Sequence, residues 1–167
     1  RQTLISIVNY GLGNVQAFAN IYNRLSIPVN IASTADSLRT ASKIILPGVG
    51  AFDWAITRLN KSGLRDTLEE LVIKKGIPVL GICVGMQIIA RSSEEGSLDG
   101  LGWIDGEIRK FDQTSFKHLM HLPHMGWNDV VPLNAETLFR NLVTGARFYF
   151  LHSYYFLPDH EDQILSI

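Results

Sequence analysis

Cysteine is almost absent from this chain: among its 167 residues, only Cys83 carries a thiol. A lone cysteine cannot form a disulfide within the chain, which favours a reducing, cytoplasmic location. Charge of one sign is not in excess either, because 15 Lys and Arg stand against 16 Asp and Glu, for a net charge of −1. The composition therefore points to neither nucleic acid nor a membrane surface as a partner.

Long apolar runs are missing as well. The most apolar stretch, residues 77–90, is too short to span a bilayer and is interrupted by glycine and Gln87. The sequence has no internal repeat, no low-complexity tract and no linker rich in Pro, Gly or Ser. With 46% hydrophobic and 19% charged residues, the composition is that of a folded domain. We therefore expect one domain across residues 1–167.

Strand and helix patterns alternate along the first ninety or so residues. Strands are predicted at Leu4–Val8, Pro28–Ala32, Lys43–Leu46 and Pro78–Ile82, and helices at Val15–Leu25, Asp53–Leu59, Leu64–Lys75 and Val84–Ala90. This alternation predicts an α/β fold with a parallel sheet covered by helices on both faces. Later segments read as strands, at Gly102–Phe111, around 118–121 and at Phe148–Phe156, and predict an antiparallel extension.

The stretch Gly81-Ile82-Cys83-Val84-Gly85 has the form of a nucleophile elbow, placed between a predicted strand and a predicted helix. Such a turn holds the nucleophile in a strained conformation, and its two glycines avoid collisions with neighbouring backbone. The following helix favours a thiolate at its positive end, and the Val84 N–H can meet an oxyanion. The alternative is a small buried apolar cysteine, but the flanking glycines favour a nucleophile.

A second loop, Pro47 to Phe52, directly follows a predicted strand. Ligands of parallel sheets bind beyond the carboxyl ends of the strands, so this loop and the elbow are expected on the same side. Taken alone, the loop is more typical of an ordinary strand-to-helix turn than of a ligand-binding loop. Gly11 and Gly13 do not complete a dinucleotide-binding fingerprint, since Gln16 and Asn30 stand where a glycine and an acid are needed.

Together these residues resemble the class I (triad) glutamine amidotransferases over nearly the whole chain. Residues 81–87 resemble the nucleophile motif of that family, and Pro47-Gly48-Val49-Gly50 resembles its oxyanion-strand motif. The resemblance implies a flavodoxin-like three-layer sandwich with a mostly parallel central sheet and an antiparallel strand extension. It also implies glutamine as the substrate and requires no cofactor.

The resemblance assigns roles to individual residues. Cys83 would attack the side-chain amide of glutamine to give a thioester, while the backbone N–H groups of Val49 and Val84 hold the oxyanion. Contacts to glutamine are implied for Gly48, Gly50, Gln87, Ser153 and Tyr154.

Three further stretches, residues 9–14, 123–128 and 148–154, narrow the resemblance within the family. They are similar to glutaminase subunits that pass ammonia to a (β/α)8-barrel cyclase subunit in histidine biosynthesis. A heterodimer with that cyclase is implied, and Asn14, Trp127 and Asn128 match positions that face the barrel. Judged by residue type alone, these three would be a helix-terminal polar residue, a half-buried aromatic and its neighbour.

The sequence departs from the family at the general base. The His-Pro-Glu motif that supplies this base in the family is absent, and none of the five histidines has the matching context. We therefore expect a domain that lacks its C-terminal segment. Two explanations stay open: the His–Glu pair lies beyond Ile167, or the protein is truncated and catalytically inactive. A metal is not expected, because His118, His121 and His124 do not have the spacing of helical ligands.

Three other hypotheses remain open at this stage. A paralogous glutaminase could supply ammonia to a synthase that amidates surface-polysaccharide sugars, and it would share the cysteine and oxyanion motifs. A non-catalytic scaffold would leave Cys83 without a purpose. A cysteine hydrolase of a related flavodoxin-like family would leave the stretches at 47–50 and 123–128 unexplained.

Overall fold

The main sheet is parallel and has four strands in the order β2-β1-β3-β4. Its register places Ile7 opposite Ile31 on one side and Ile45 on the other. A computed structural model provides the structure, and it describes residues 3–114, 121–133, 138–142 and 145–167. The strands are β1 (Ile5–Val8), β2 (Val29–Ala32), β3 (Lys43–Leu46) and β4 (Val79–Gly81).

Helices connect these strands, and local signals set their ends. Asn14 caps the first helix by accepting a hydrogen bond from the Ala17 N–H, and Thr34 and Ser37 form a capping box on the second. Gly63 ends the third with φ of 74°, a conformation that glycine adopts without strain. The helices are α1 (Val15–Arg24), α2 (Ala35–Leu38), α3 (Phe52–Ser62), α4 (Arg65–Glu69), which continues as a π-helical turn (Glu70–Lys74), and α5 (Val84–Gln87).

The two central strands of the main sheet, β1 and β3, are buried on both faces. Along β3, Ile45 packs with α1 on one face, whereas Ile44 and Leu46 pack on the other face, because successive side chains of a strand alternate. The second face carries the larger core, which includes Phe52 and Leu59 of α3. Two-sided burial explains why these strands read as continuous apolar runs.

Five more strands follow the main sheet. The strand β6 lies between β5, to which it is parallel, and β9, to which it is antiparallel, while β7 and β8 form a separate antiparallel pair. A bridge between Pro132 and Ser166 and a 3-10 turn (Glu161–Gln163) complete the described elements. The strands are β5 (Ser92–Ser93), β6 (Gly106–Lys110), β7 (His124–Asp129), β8 (Arg147–His152) and β9 (Tyr154–Pro158).

The predicted α/β architecture is confirmed, with a parallel sheet and antiparallel strands, but several elements differ. The predicted strand Phe148–Phe156 is two strands in two different sheets, because the chain leaves the β7–β8 pair at Ser153 and joins β6. A continuous aromatic run carries no signal for that break. The strands β5 and β7 and the helix α2 were not predicted, and residues 118–120 of another predicted strand lie outside the described residues.

Two further elements are shorter than the sequence predicts. The helix after the elbow ends at Gln87 instead of Ala90, and β6 begins at Gly106 instead of Gly102. Tight turns replace regular helix after Gln87, where the Ala90 N–H bonds to the Gln87 carbonyl. In the described part of the chain, no helix combines the length and the apolar character needed to cross a membrane.

Candidate active site

Cys83 occupies a sharp turn between β4 and α5. Its φ is 57° and its ψ is −127°, an uncommon backbone conformation for a residue with a side chain, and its thiol is exposed. The Cys83 carbonyl accepts hydrogen bonds from the N–H groups of Met86 and Gln87, at 3.0 and 3.1 Å. The strand, the strained residue and the helix have the order that the elbow motif predicts.

The two elbow glycines are required by close backbone contacts. A Cβ on Gly81 would lie 2.5 Å from the Cα of Met86, and a Cβ on Gly85 would lie 2.0 Å from the carbonyl oxygen of Leu46. Both distances are far below van der Waals contact. Glycine at these positions lets α5 start directly against β3, which lifts the sulfur above the carboxyl end of the sheet.

The loop after β3 packs directly against the elbow. A Cβ on Gly48 would be 2.5 Å from Cγ1 of Val84 and 3.0 Å from the backbone nitrogen of Gly85. The amides of Val49 and Val84 have no hydrogen-bond partner in the described residues. Two free N–H groups, on a loop and a helix in mutual contact, are what an oxyanion site requires.

Tyr10 holds this loop in place through a hydrogen bond, a role that the sequence did not indicate. Its hydroxyl is buried and donates a 2.6 Å hydrogen bond to the carbonyl of Pro47. Burial raises the pKa of Tyr10, and the negative charge of Cys83 raises it further. The tyrosine therefore stays protonated and remains a donor, which fixes the loop beside the cysteine.

The predicted glutamine-contacting residues come from separate elements. Gly50, with φ of 91°, precedes α3, Gln87 lies one turn after Cys83, and Ser153 and Tyr154 connect β8 to β9. The carbonyl of Ser153 accepts a hydrogen bond from the Phe111 N–H at 3.1 Å, and Tyr154 packs on the larger core. No hydrogen bond links Ser153 or Tyr154 to Cys83 in the described structure.

A carboxylate near Tyr154 was missed at the sequence level. Glu95 accepts a 3.0 Å hydrogen bond from the Phe52 N–H at the start of α3. Burial raises the pKa of Tyr154, and the nearby charges of Glu95 and Glu94 raise it further. The sequence signal was the pair of acidic residues before Gly96. By itself this pair indicates only the end of a secondary-structure element; it suggests a binding residue only if the ligand carries a positive charge.

Asp53 holds the loop that carries Glu95. Its carboxylate accepts hydrogen bonds from the backbone N–H groups of Ser97 and Leu98, at 3.0 to 3.1 Å, and from the Ser97 hydroxyl. These bonds hold the pKa of Asp53 below its usual value. The loop is thereby fixed to α3, beside the oxyanion loop.

An apolar cavity of about 530 Å³ opens beside Cys83 at the end of β4, which is an edge strand among the described residues. Met86, Phe148, Tyr149 and Phe150 are among its lining residues, whereas Gln87, Ser153 and Tyr154 are not. Gly48 and Gly50, the other predicted glutamine contacts, do not line it either.

The hairpin of β7 and β8 carries the two later residues of the predicted partner interface. Trp127 is 60% exposed, and Asn128 next to it is exposed on the opposite face, where its amide lies 2.7 Å from Nε2 of His124. Asn14 is exposed and caps α1, which is the role that its residue type alone suggests.

The described histidines do not contact the cysteine. Nδ1 of His124 lies 3.1 Å from Nε2 of His152, and Nδ1 of His152 lies 2.8 Å from the Tyr154 carbonyl oxygen. No hydrogen bond joins a described histidine to Cys83. Among the described residues, no group of three or more His, Cys, Asp or Glu side chains has a geometry suited to a metal ion.

Comparisons with known proteins agree on the class of this fold and site. The glutamine amidotransferase class-I family model matches residues 6–167. The chain is 58% identical over 163 residues to the imidazole glycerol phosphate synthase subunit HisH of Bdellovibrio bacteriovorus, covering 98% of this chain and 80% of that protein. The HisH subunit of Leptospira interrogans is 46% identical, with the same coverage. The chain therefore belongs to the class I glutamine amidotransferase family.

Solved structures support the fold independently of close sequence similarity. A glutamine amidotransferase crystal structure superposes with a TM-score of 0.70 at 15% identity, covering 97% of this chain and 78% of that one. A glutamine amidotransferase from Thermotoga maritima gives a TM-score of 0.60 at 20% identity, covering 95% of this chain and 64% of that one. The predicted flavodoxin-like sandwich is thus confirmed.

Proposed function

We propose that this chain is the glutaminase subunit of an imidazole glycerol phosphate synthase. It would hydrolyse glutamine and pass ammonia to a (β/α)8-barrel cyclase subunit in the cytoplasm. The observation that carries the proposal is the strained, exposed Cys83 next to two free backbone N–H groups. The names of the relatives, subunits of that synthase at 58% and 46% identity, support the choice of synthase over a sugar-amidating one.

The chemistry follows from the elbow. The Cys83 thiolate attacks the side-chain carbonyl carbon of glutamine, and the developing oxyanion accepts hydrogen bonds from Val49 and Val84. The nitrogen of the tetrahedral intermediate takes up the proton that the base removed from Cys83, and ammonia leaves as the intermediate collapses to a thioester. Water then hydrolyses the thioester, which releases glutamate and returns the free thiol.

Binding of the amino-acid part of glutamine needs partners for a carboxylate and an ammonium group. We propose that Gly48 and Gly50 admit the substrate close to the backbone, and that Gln87, Ser153 and Tyr154 orient it. The carboxylate of Glu95 is near Tyr154, because its charge raises the pKa of that tyrosine. One of its oxygens holds the Phe52 N–H, and the other can accept from the substrate ammonium.

A base must take the proton from Cys83, and we propose that a His–Glu pair outside residues 1–167 provides it. Among the described residues β4 is an edge strand, and the apolar cavity beside Cys83 supports a location next to it. A histidine beside this cavity would reach the sulfur of Cys83, which lines the cavity, and take its proton.

The exposed face of the β7–β8 hairpin is the surface we propose for the cyclase. Four large apolar side chains on this face are between 52% and 60% exposed, namely those of Met125, Trp127, Tyr149 and Leu151. Aromatic and Met side chains in such a cluster are enriched in the buried centres of protein interfaces. Asn14 and Asn128 would contribute contacts where the partner extends past the hairpin.

Replacement of the nucleophile tests this function. In the assembled synthase, Cys83→Ala should lower glutamine-dependent turnover by at least about 10⁴-fold, as loss of a nucleophile does in other enzymes. Synthesis driven by added ammonium salt should be unchanged, because the cyclase reaction does not need the cysteine. Retained glutamine turnover would reject the mechanism, and loss of both activities would mean that Cys83 maintains the structure of the assembled enzyme instead of acting as the nucleophile.

A further inference from the structure

A chain of hydrogen bonds crosses the β7–β8 hairpin and ends at the proposed glutamine site. Antiparallel pairing places His124 directly opposite His152, with Nδ1 of the first 3.1 Å from Nε2 of the second. Beyond His124, the Asn128 amide nitrogen lies 2.7 Å from Nε2. Beyond His152, the Tyr154 carbonyl oxygen lies 2.8 Å from Nδ1. Three bonds thus connect four consecutive polar groups.

The Tyr154 carbonyl at the end of this series of hydrogen bonds fixes the donor and the acceptor in each of them. The Tyr154 carbonyl can only accept, so Nδ1 of His152 must carry a hydrogen. With the imidazole neutral, its Nε2 is an acceptor, and Nδ1 of His124 must donate to it. Nε2 of His124 then accepts from the Asn128 amide. Both rings therefore carry their hydrogen on Nδ1, and each of their four nitrogens has one partner.

Aromatic side chains hold the two rings in place. Phe111 makes an edge contact with His152 at a centroid distance of 5.0 Å and stacks on Tyr155 at the same distance. Phe150 stacks on His124 at 5.8 Å. A flip of either imidazole would put ring carbons in the places of its two nitrogens and break two of the three bonds, so packing and hydrogen bonding select the same orientation.

This series of hydrogen bonds ends at the segment where β8 stops and β9 begins. The Ser153 carbonyl is held by the Phe111 N–H, and the Tyr154 carbonyl is held by His152. Both carbonyls of the segment that we propose to contact glutamine are therefore fixed. Phe111 takes part twice, since its backbone holds Ser153 while its ring packs on His152.

We propose that His124 and His152 are positioning residues, which set the Ser153–Tyr154 backbone for glutamine through a hydrogen-bond relay that starts at Asn128. This inference rests on the proposed glutaminase function. It predicts that disturbing the relay weakens the binding of glutamine more than it slows the chemistry at Cys83, because the relay touches neither the thiol nor the oxyanion loop.

Two substitutions of one residue separate the ends of the relay. Asn at position 152 places an amide nitrogen near Nδ1 and keeps the bond to Tyr154, whereas Gln reaches toward Nε2 and loses that bond. In the assembled synthase, His152→Gln should raise the KM for glutamine about tenfold with kcat within about twofold. His152→Asn should raise KM by a smaller factor, about threefold, because it keeps the bond to Tyr154 but loses the bond to His124. Equal KM values in the two variants, or a fall in kcat alone, would overturn the proposal.

The tautomers give a readout that does not depend on activity. In protein labelled with ¹⁵N-histidine, the imidazole spectra of His124 and His152 should show hydrogen on Nδ1 and a bare Nε2. A hydrogen on Nε2 of neutral His152 would overturn the relay. The Cys83→Ala variant tests the glutaminase function separately. The relay is wrong if the tautomers differ while glutamine turnover depends on Cys83, and the proposed function is wrong if the tautomers are as expected but turnover does not depend on Cys83.

Discussion

The parallel sheet and the β7–β8 hairpin differ in how far their apolar side chains are exposed to solvent. Side chains of β1 and β3 are buried almost throughout, and Ile7, Val8 and Leu46 have no exposed surface. On the hairpin, by contrast, Trp127 and Leu151 are 60% and 59% exposed. The sheet buries its apolar surface within the chain, whereas the hairpin leaves a comparable surface open.

This difference separates two tasks. A strained residue such as Cys83 persists only where dense packing around it prevents relaxation, and β3 and α5 supply that packing. A recognition surface needs exposed apolar groups on a stable frame, which the hairpin provides. Changes in the sheet should therefore cost stability, and changes on the hairpin should cost affinity for a partner.

The largest effect on stability is expected at Gly85. In the Gly85→Ala variant, the added Cβ would lie 2.0 Å from the Leu46 carbonyl oxygen, so α5 must move away from β3. We expect a loss of about 3 kcal/mol in the free energy of unfolding, the upper part of the range for overpacking. Denaturant unfolding monitored by fluorescence measures it.

Gly63→Ala is the matched control, since nothing lies within 4 Å of its Cβ position and only its φ of 74° opposes a side chain. That conformation alone should cost about 1 kcal/mol. Equal losses in the two variants would contradict the view that α5 is fixed by steric contact with β3.

An intermediate effect is expected at the hairpin. Trp127→Ser removes a 60% exposed ring from the proposed docking face, and should weaken cyclase binding by about 2 kcal/mol, or roughly 30-fold in Kd. Because the ring is largely in solvent, the melting temperature should hardly change. Titration calorimetry with the purified cyclase subunit measures the affinity.

Ile73→Ser provides the comparison for that experiment. Ile73 is 57% exposed, but it lies in the π-helical turn before β4, at the opposite end of the sheet from Cys83. Its replacement should leave the Kd unchanged. A similar loss of affinity in both variants would show that general surface hydrophobicity, and not the hairpin, governs association.

The smallest effect is expected at Asp53, which joins α3 to the loop before the later strands. Its pKa is lowered by the backbone hydrogen bonds from Ser97 and Leu98, so the folded state favours the carboxylate. The resulting stability is present above the pKa of an unfolded Asp and is lost as the pH falls through the lower folded value.

Asp53→Asn should therefore be less stable than the unsubstituted protein at pH 7, and this difference should shrink as the pH falls through the acidic range. Thermal melts at several pH values follow the difference between the two proteins. A difference that is constant with pH would mean that the carboxylate charge does not contribute. The neighbouring Asp99 offers a control, because no hydrogen bond to its carboxylate is present in the described structure.

The sequence predicted the parts of the fold whose signals are local. Apolar residues predicted β1 to β4, and in the central strands β1 and β3 they reflect burial on both faces. The glycines around Cys83 marked the elbow. The sequence did not predict β7, since Gly126 and Pro123 read as turn residues. The break at Ser153 was also invisible, because it depends on pairing with β6, far along the chain.

Some site residues were invisible for the same reason. Tyr10 and Glu95 act through single long-range hydrogen bonds, to Pro47 and to the Phe52 N–H, which no local pattern encodes. The histidine pair depends on the register of two strands, one of which was not predicted. Motifs thus locate the nucleophile, while its support comes from tertiary contacts.

Covalent labelling of Cys83 tests the central claim most directly. The protein, assembled with its cyclase partner, would be treated with a chloroketone analogue of glutamine and analysed by peptide mass spectrometry. We expect one adduct per chain, on Cys83, and we expect glutamine, but not other amino acids, to slow the labelling. No adduct on Cys83 with the partner present, or labelling that glutamine does not protect against, would contradict it.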